Sequence, residues 1–322
     1  MLRLLAISKN TFIETLRQPI YTVIIVFALL LMFLAPAISM YTLDEDIKLL
    51  RELGLSTLFL AGLFIAVFAS TGAITEEIES GTITTVLSKP ISRPAFVIGK
   101  FLGVCGVVTL AHLLITMVLL MMIRHGVLET ASDEVDWTVI TAAATAILGA
   151  LLITAFFNYV YDWNFLSTGI VLSVVFLAFG ILFLFFVDRD WKFNPENNHF
   201  DRFDTIASLL LLLAMFCLVA LAILFSTRFN EVLTLTFCVG FFLLGLISDW
   251  IFGRFADQHL WAKIGEILTP NLQVFWVSDA IYETETGVIP LKYLYMAFIY
   301  AALYTAGILS VAVAMFQRRQ VG

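Results

Sequence analysis

The sequence predicts an all-α protein that crosses a membrane several times. Of its 322 residues, 61% are hydrophobic and 13% are charged, and the mean hydropathy is +0.99. Soluble domains carry roughly 25% charged residues, so this composition is typical of a protein embedded in lipid. Apolar runs long enough to span a bilayer, which takes roughly 20 residues each, recur along the chain. We predict a polytopic protein with about eight transmembrane helices (six to eight), forming a single membrane domain over residues 1–322.

The predicted spans follow the apolar runs in order. They cover residues 19–40, 55–75, 98–123, 138–160, 166–187, 205–226, 232–252 and 293–316. The fourth and fifth spans are separated only by YDWNF, and a re-entrant hairpin there would reduce the count to six. Either count leaves every later segment on the same side of the membrane.

The segment before the first span, residues 1–18, predicts an amphipathic helix along the membrane surface. Because the long apolar run comes after it and no small-residue cleavage site is visible, we do not expect a signal peptide. Its polar and apolar residues separate with helical spacing. The apolar set is Leu2, Leu5, Ile13 and Leu16, and the charged set is Arg3, Lys9, Glu14 and Arg17.

Charge distribution predicts the orientation, since basic residues concentrate on the cytoplasmic side of membrane proteins. Bases outnumber acids in residues 1–18 and in the terminal FQRRQVG. Acids outnumber bases in 41–54, 124–137, 188–204 and 253–290. We therefore expect both termini and the 76–97 segment in the cytoplasm, the four acidic segments outside, and the protein in a cell's inner (cytoplasmic) membrane.

Several functional classes lack the motifs they need. The sequence contains no G-x-x-x-x-G-K-[ST] phosphate loop, no H-E-x-x-H and no G-x-S-x-G, so we expect it neither to hydrolyse ATP nor to act as an enzyme. Its three cysteines lie in apolar runs without metal-ligand spacing, and no basic cluster indicates nucleic acid as a partner. We expect no metal or other cofactor on this chain.

Polar residues inside the spans are few. His112 lies near the middle of the third span and Asn158 near the end of the fourth. A hydrogen bond from His112 to a neighbouring helix, for instance through Thr109 or Thr116, is favoured over a substrate or proton role. The acids of 188–204 with His199 could suggest a metal site, but a solvated polar loop is favoured because their spacing fits no known ligand pattern.

The most polar interruption is EEIESGTITTVLSKPISRPAFVIGK, residues 76–100. Acidic residues at its start and apolar residues spaced by three to five predict a short helix with one apolar face. Gly81 permits a sharp reversal, and Pro90 and Pro94 disfavour helix at the residues before them. The expected result is a short, charged element that projects below the membrane between the second and third spans.

This stretch resembles the corresponding segment of type 2 ABC transporter permeases (the ABC-2 type), where E-x-x-x-G-T, a leucine, a proline, Ser-Arg and Gly-Lys follow in that order. The N-terminal segment resembles that family's connecting helix. Residues 220–236 resemble its tight cytoplasmic turn, and 268–281 its outer hairpin before the last span, within the 253–290 region. The family core has six spans, so 138–187 adds a pair.

The resemblance implies that the 76–97 loop contains a coupling helix, which docks on a separate ABC ATPase subunit. Two permease copies, or this chain and a homologue, would form a dimer in the bilayer, with ATP and Mg bound by the ATPase. Most of the family resemblance implies export. The interface residues carried over are Glu76, Glu79, Ser80, Gly81, Thr82, Leu87, Pro90 and Arg93.

Three glycines and the composition of the spans lead to two further expectations. Gly99, Gly103 and Gly106 have the spacing of small residues at close helix contacts. The scarcity of charges in the spans favours a hydrophobic or amphipathic cargo over a small ion, but helix packing explains the same composition. Efflux is the direction that the resemblance implies. The alternative is a membrane module without cargo, a mechanotransmitter or assembly factor for cell-surface machinery, whose acidic outer loops contact a partner.

Overall fold

A computed structural model describes residues 2–40, 46–79, 92–128, 134–278 and 289–318. Within these ranges the chain is almost entirely helical. The helices are α1 Leu2–Leu16, α2 Pro19–Ser39, α3 Asp46–Glu79, α4 Arg93–His125, α5 Trp137–Tyr161, α6 Phe165–Phe186, α7 Arg202–Ser226, α8 Glu231–Leu246, α9 Ser248–Ile251, α10 Leu260–Leu268 and α11 Leu291–Gln317. Short 3₁₀ turns occur at Pro195–Asn197, Gly253–Phe255 and Gln273–Phe275.

Seven helices of the described chain are long and apolar enough to cross a membrane: α2, α3, α4, α5, α6, α7 and α11. They coincide with seven of the eight predicted spans. Several begin earlier than predicted; α3 starts at Asp46 and α4 at Arg93, so part of each adjoining loop is helical. The pair α5 and α6, with 25 and 22 residues, is long enough for each helix to span.

Local signals explain the tight connection between α5 and α6. Asp162 ends α5 in the left-handed conformation at φ 54°, and the side chain of Asn164 accepts a hydrogen bond from the N–H of Ser167 at the start of α6. The indole of Trp163 stacks on Phe157 at 4.6 Å between ring centroids. This turn folds the two helices back on each other.

The seventh predicted span, 232–252, is not one straight helix, which corrects the sequence reading. The chain bends by 69° between α8 and the segment Ser248–Phe255. The cause lies in the carbonyl of Gly245, which accepts the backbone N–H of Leu272 at 3.0 Å and the hydroxyl of Ser248 at 3.2 Å. Both donors compete for the carbonyl that would continue the helical ladder, and such an intrusion bends a helix.

The bent segment still carries the chain from one end of the bundle to the other. Arg228, in the turn before α8, donates a hydrogen bond to the carbonyl of Met315 near the end of α11, at 2.9 Å. The 27 residues of α11 rise about 40 Å, so Leu291 lies at the opposite end. Counting α8 with Ser248–Phe255 as one bent span raises the number of candidate spans in the described chain from seven to eight.

The chain divides into two compact units. Unit 1 comprises Met1–Thr15, Gly62–Val108 and Leu209–Gly322, and unit 2 comprises Leu16–Ala61 and Thr109–Ser208. Among the spans, α3, α4 and α7 are the most buried, whereas α2, α5, α6 and α11 leave most of their apolar surface exposed. Exposed apolar helix surface of this extent is stable in contact with lipid.

Unit 2 contains a buried ion cluster centred on Arg124 at the end of α4. Arg124 and Asp136 are each 1% exposed, and Arg124 Nε lies 3.4 Å from Asp136 Oδ2. The guanidinium also donates to the carbonyls of Leu184 and Val187, the latter at 2.7 Å, and to the hydroxyl of Thr138 at 3.1 Å. Arg124 thereby caps the C-terminal end of α6.

Asp136 completes this cluster and caps the N-terminus of α5. Burial raises the pKa of its carboxyl, but the hydrogen bonds from Thr138 and the Val139 N–H, with Arg124 and Arg189 nearby, outweigh burial and hold the pKa below its ordinary value. Arg189 also donates to the carbonyl of Arg124 at 2.8 Å. The cluster connects α4, α5 and the end of α6.

The acidic segment 188–204 is less solvated than the sequence suggests. Asp188 is 8% exposed and accepts the backbone N–H groups of Asp190 and Lys192, each at 3.0 Å. Asp204 is 2% exposed, and its carboxylate lies 2.9 Å from Nε of Arg51 on α3. These acids fix the loop and the start of α7, so the interpretation as a purely solvated loop is wrong at these two positions.

Candidate functional site at the ends of α3, α4 and α11

The candidate site surrounds the two ends of the predicted coupling loop. The backbone of Glu76 and Glu79 forms the last turn of α3, and Arg93 is the first residue of α4. The side chains of Glu76 and Glu79 lie outside the described part of the structure. So do the remaining predicted interface residues, Ser80, Gly81, Thr82, Leu87 and Pro90.

A buried ion pair joins the helices on either side of this loop. Lys100, on the second turn of α4, is 2% exposed, and its Nζ donates to Oε1 of Glu77 on α3. The ammonium also lies 5.6 Å from the ring centroid of Phe96, within the range of a cation–π interaction. Charged groups this deeply buried are strongly coupled to their partners.

The same end of α4 contacts the end of α11. Phe96 stacks on Phe316 with ring centroids 5.4 Å apart and an interplanar angle of 16°. The guanidinium of Arg93 donates to the carbonyl of Phe316 at 3.3 Å and to the carbonyl of Gln317. Because the last carbonyls of a helix lack intrahelical partners and carry partial negative charge, Arg93 caps α11.

We call Glu77, Arg93, Phe96, Lys100 and Phe316 the helix-end network. Only Arg93 was among the residues selected from the sequence, and its guanidinium is engaged by α11. Lys100 carried a usable signal, because it is a lysine near the start of a predicted span with apolar residues on both sides. Its partner could not be found that way, since α3 and α4 meet only in the folded chain.

The turn between α7 and α8 lies at this same end of unit 1. The hydroxyl of Thr75 on α3 donates to the carbonyls of Ser226 at 3.2 Å and Phe229 at 3.4 Å. Arg228 reaches α11 through Met315, as described above. Four helix ends of unit 1, those of α3, α4, α7 and α11, are therefore connected by side-chain contacts.

The three glycines selected from the sequence face α1. A Cβ at Gly103 would stand 2.7 Å from the carbonyl oxygen of Ser8 and 2.7 Å from Cβ of Thr11. One added at Gly99 would stand 2.8 Å from a methyl carbon of Ile7, and one at Gly106 would stand 3.0 Å from the ring of Phe12. These positions admit α1 because they lack side chains.

The contacts also describe how α1 runs. They advance from Ile7 to Phe12 on α1 as they advance from Gly99 to Gly106 on α4, so the two helices lie side by side over that length. The leucines at the start of α1 stay uncovered, with Leu2 86% and Leu5 61% exposed. The placement of α1 on the membrane surface remains a prediction.

His112 belongs to a buried polar cluster in unit 2. Its Nε2 lies 2.9 Å from the carbonyl oxygen of Ser208 and 3.0 Å from the hydroxyl of Ser208 on α7. That hydroxyl lies 2.7 Å from the hydroxyl of Thr116. The arrangement is an interhelical hydrogen bond of the kind favoured from the sequence, with Ser208 as the partner that the sequence did not identify.

Asn158 has a different environment. It is exposed, and its side-chain amide donates to the carbonyl of Trp163 at 2.6 Å in the turn between α5 and α6. This contact closes the turn. Asn158 therefore makes a local structural contact at the end of α5. It shares no hydrogen-bond partner with His112, so the two residues do not form one polar site in the described structure.

These spans and connected helix ends define a polytopic α-helical membrane protein. Its sequence matches the family described as ABC-2 family transporter protein over residues 5–176, more than half of the chain. The chain belongs to this family, whose domains are membrane components of ABC transporters. Among curated proteins, none matches the chain.

The matched range contains two regions on which the sequence predictions depended. It contains all but the first three residues of α1 and the whole 76–97 loop, where the resemblance was most specific. It also contains α5 and the first half of α6, so the pair that we predicted as an addition to a six-span core lies largely inside the region that matches the family.

Proposed function

We propose that this chain is the permease subunit of an ATP-driven exporter, coupled to a separate ABC ATPase through the 76–97 loop. Family membership over residues 5–176 is the observation that carries the proposal. Two permease subunits would form a dimer, each docking one ATPase, and closure of the ATPases on ATP and Mg would rock the spans between two arrangements. Both termini would lie in the cytoplasm, with the protein in the inner membrane.

The connected helix ends support this proposal physically. A docking loop can drive a membrane domain only if its ends are held firmly to the spans. Here Glu77 and Lys100 hold the two helices on either side of the loop, and Arg93 reaches a third helix. The apolar character of the spans favours a hydrophobic or amphipathic cargo.

The alternative of a module without cargo has less support. It relies on acidic outer loops that are free to contact a partner. Three acids of those loops instead bond within the chain. Asp136 and Asp188 accept hydrogen bonds, and Asp204 forms an ion pair with Arg51.

Co-purification tests the proposal. The chain is co-expressed with a candidate ABC ATPase of the same genome, sought first among the adjacent genes, and purified through a tag on the permease. We expect a stable complex that hydrolyses ATP. Gly81→Trp and Glu79→Arg should each reduce ATPase recovery about tenfold, a loss of about 1.4 kcal/mol in binding.

The matched control is a charge reversal at a solvated acid away from the loop. Asp190→Arg suits this purpose because the Asp190 side chain is 68% exposed and pairs with another exposed side chain, Lys192. Full ATPase recovery and activity in both loop variants would contradict docking at this loop.

A further inference from the structure

We propose that the helix-end network carries movement of the loop between α3 and α4 to α11, and that Lys100 and Glu77 are its positioning residues. The inference rests on the proposed function, since a docked ATPase supplies the movement. It assigns a route through the membrane domain that begins at an ion pair and ends on the last helix.

The ion pair makes the two helices move together. Lys100 and Glu77 side chains are 3% and 20% exposed, so water competes little for either charge. Separating them would leave an uncompensated charge in a medium of low dielectric constant, which is strongly unfavourable. A pull on the loop is therefore shared between the ends of α3 and α4 and does not separate them.

Three residues on one face of α4 pass that movement on. Arg93, Phe96 and Lys100 are spaced by three and four, which places them in line along the helix. Lys100 holds α3, while Phe96 and Arg93 hold the last residues of α11 by stacking and by capping. Any displacement of this face is transmitted directly to Phe316.

The middle part of α11 contacts another segment of unit 1. Its Tyr300 hydroxyl accepts the N–H of Asn271 at 2.7 Å, and its Tyr304 hydroxyl donates to the carbonyl of Leu268 at 2.9 Å. Tyr304 and Tyr300 lie about 18 and 24 Å from Phe316 along the helix axis, and an α-helix acts as a stiff rod over such a distance. Movement at Phe316 is thereby expected to shift the segment from Leu268 to Asn271.

An environment-sensitive probe on α11 tests the route. A bimane fluorophore is attached to Gln317→Cys, an exposed position; the three native cysteines are buried and remain unlabelled. The labelled chain is purified with its ATPase and reconstituted in lipid nanodiscs. We expect Mg-ATP with vanadate to shift the bimane emission, and Lys100→Met to reduce this response about tenfold while the ATPase stays bound.

Two further variants separate a positioning role from simple loss of fold. Replacing both partners, in Glu77→Met with Lys100→Met, removes the pair without leaving a buried charge, so the fold is expected to survive. This double variant should bind the ATPase and still lack the response. The exchange Glu77→Lys with Lys100→Glu restores an ion pair and should recover at least half of the response.

Each outcome has a defined meaning. An undiminished response in Lys100→Met or in the double methionine variant would overturn the role of the pair. A parent complex that hydrolyses ATP without any response at Gln317→Cys would overturn the route to α11 and leave the proposed function intact. If the parent chain recovered no ATPase at all, the proposed function would fail, and this inference with it.

Discussion

Two buried cations, Arg124 in unit 2 and Lys100 in unit 1, are held in different ways. Arg124 bonds to a carboxylate, a hydroxyl and two backbone carbonyls, which belong to α5 and the end of α6. Lys100 bonds to Glu77 and lies near one aromatic ring. The guanidinium has five donors in a rigid plane, whereas the ammonium is a point charge on a flexible stem.

The difference teaches how a buried charge can serve either rigidity or motion. Four acceptors from two structural elements fix a planar group in one orientation, so the end of α4 cannot move relative to α5 without breaking several bonds. An ammonium with one carboxylate can rotate and follow its partner while keeping the ion pair. We therefore interpret the Arg124 cluster as a lock and the Lys100 pair as a compliant link.

Removing the lock gives the largest expected effect. Arg124→Met should lower the free energy of unfolding by about 3–5 kcal/mol, because it leaves Asp136 buried with a weaker partner and two carbonyls without their donor. Denaturant or thermal unfolding of the purified protein in nanodiscs measures this loss.

The exposed pair of Lys192 and Asp190 provides the matched control. Its side chains are 73% and 68% exposed, so Lys192→Met should cost less than about 1 kcal/mol. The distinction between lock and link would break if Lys100→Met destabilised the protein as much as Arg124→Met does.

Sequence reasoning succeeded where structure depends on local composition. An apolar run of sufficient length predicts a spanning helix wherever it occurs, and α2 to α7 and α11 follow such runs. The bend after α8 could not be predicted in this way. Its cause is the approach of Leu272 to Gly245, residues that are distant in sequence and meet only after folding.

The same limit explains what was missed at the site. Asp136 and Arg124 were assigned to an outer loop because 124–137 lies between two predicted spans and is acidic, yet both are buried through contacts with α6 and with each other. From the sequence, Lys100 contributed only to the Gly-Lys pair that closes the stretch resembling the family. The order of residues from 76 to 100 did indicate the family, since that signal is contained in one continuous stretch.

An intermediate effect is expected at Gly103, where steric pressure tests the same end of α4 without altering a charge. An alanine Cβ would meet Ser8 and Thr11 of α1 at 2.7 Å, and one of these contacts is a backbone oxygen. Gly103→Ala should therefore displace α1 and lower stability by about 1–3 kcal/mol. The control, Gly307→Ala, meets no atom within 4 Å and should be neutral or stabilising by up to about 1 kcal/mol.

Thermal unfolding of both glycine variants shows whether α1 can move relative to α4. If the start of α4 can move only at its ion pair, α1 stays in place beside Gly103. Gly103→Ala should then show the whole expected loss of stability. A loss no larger than that of Gly307→Ala would show that α1 moves aside freely and that this part of unit 1 is compliant as a whole.

The smallest expected effect is the change in folding stability that Asp136, in the Arg124 cluster, causes at acidic pH. Because the folded-state pKa of Asp136 lies below its ordinary value of 3.8, its carboxylate contributes stability that is fully present above that value. This contribution is lost as the pH falls from about 4 through the lower folded-state pKa.

Unfolding of the parent and of Asp136→Asn is compared from pH 7 to pH 3. The stability difference between them should stay constant down to about pH 4 and narrow below it, since protonation removes the charge that the variant already lacks. A difference that widened as the pH fell from 7 to 5 would mean that folding raises the pKa of Asp136 above 3.8, and the cluster would then be a switch instead of a lock.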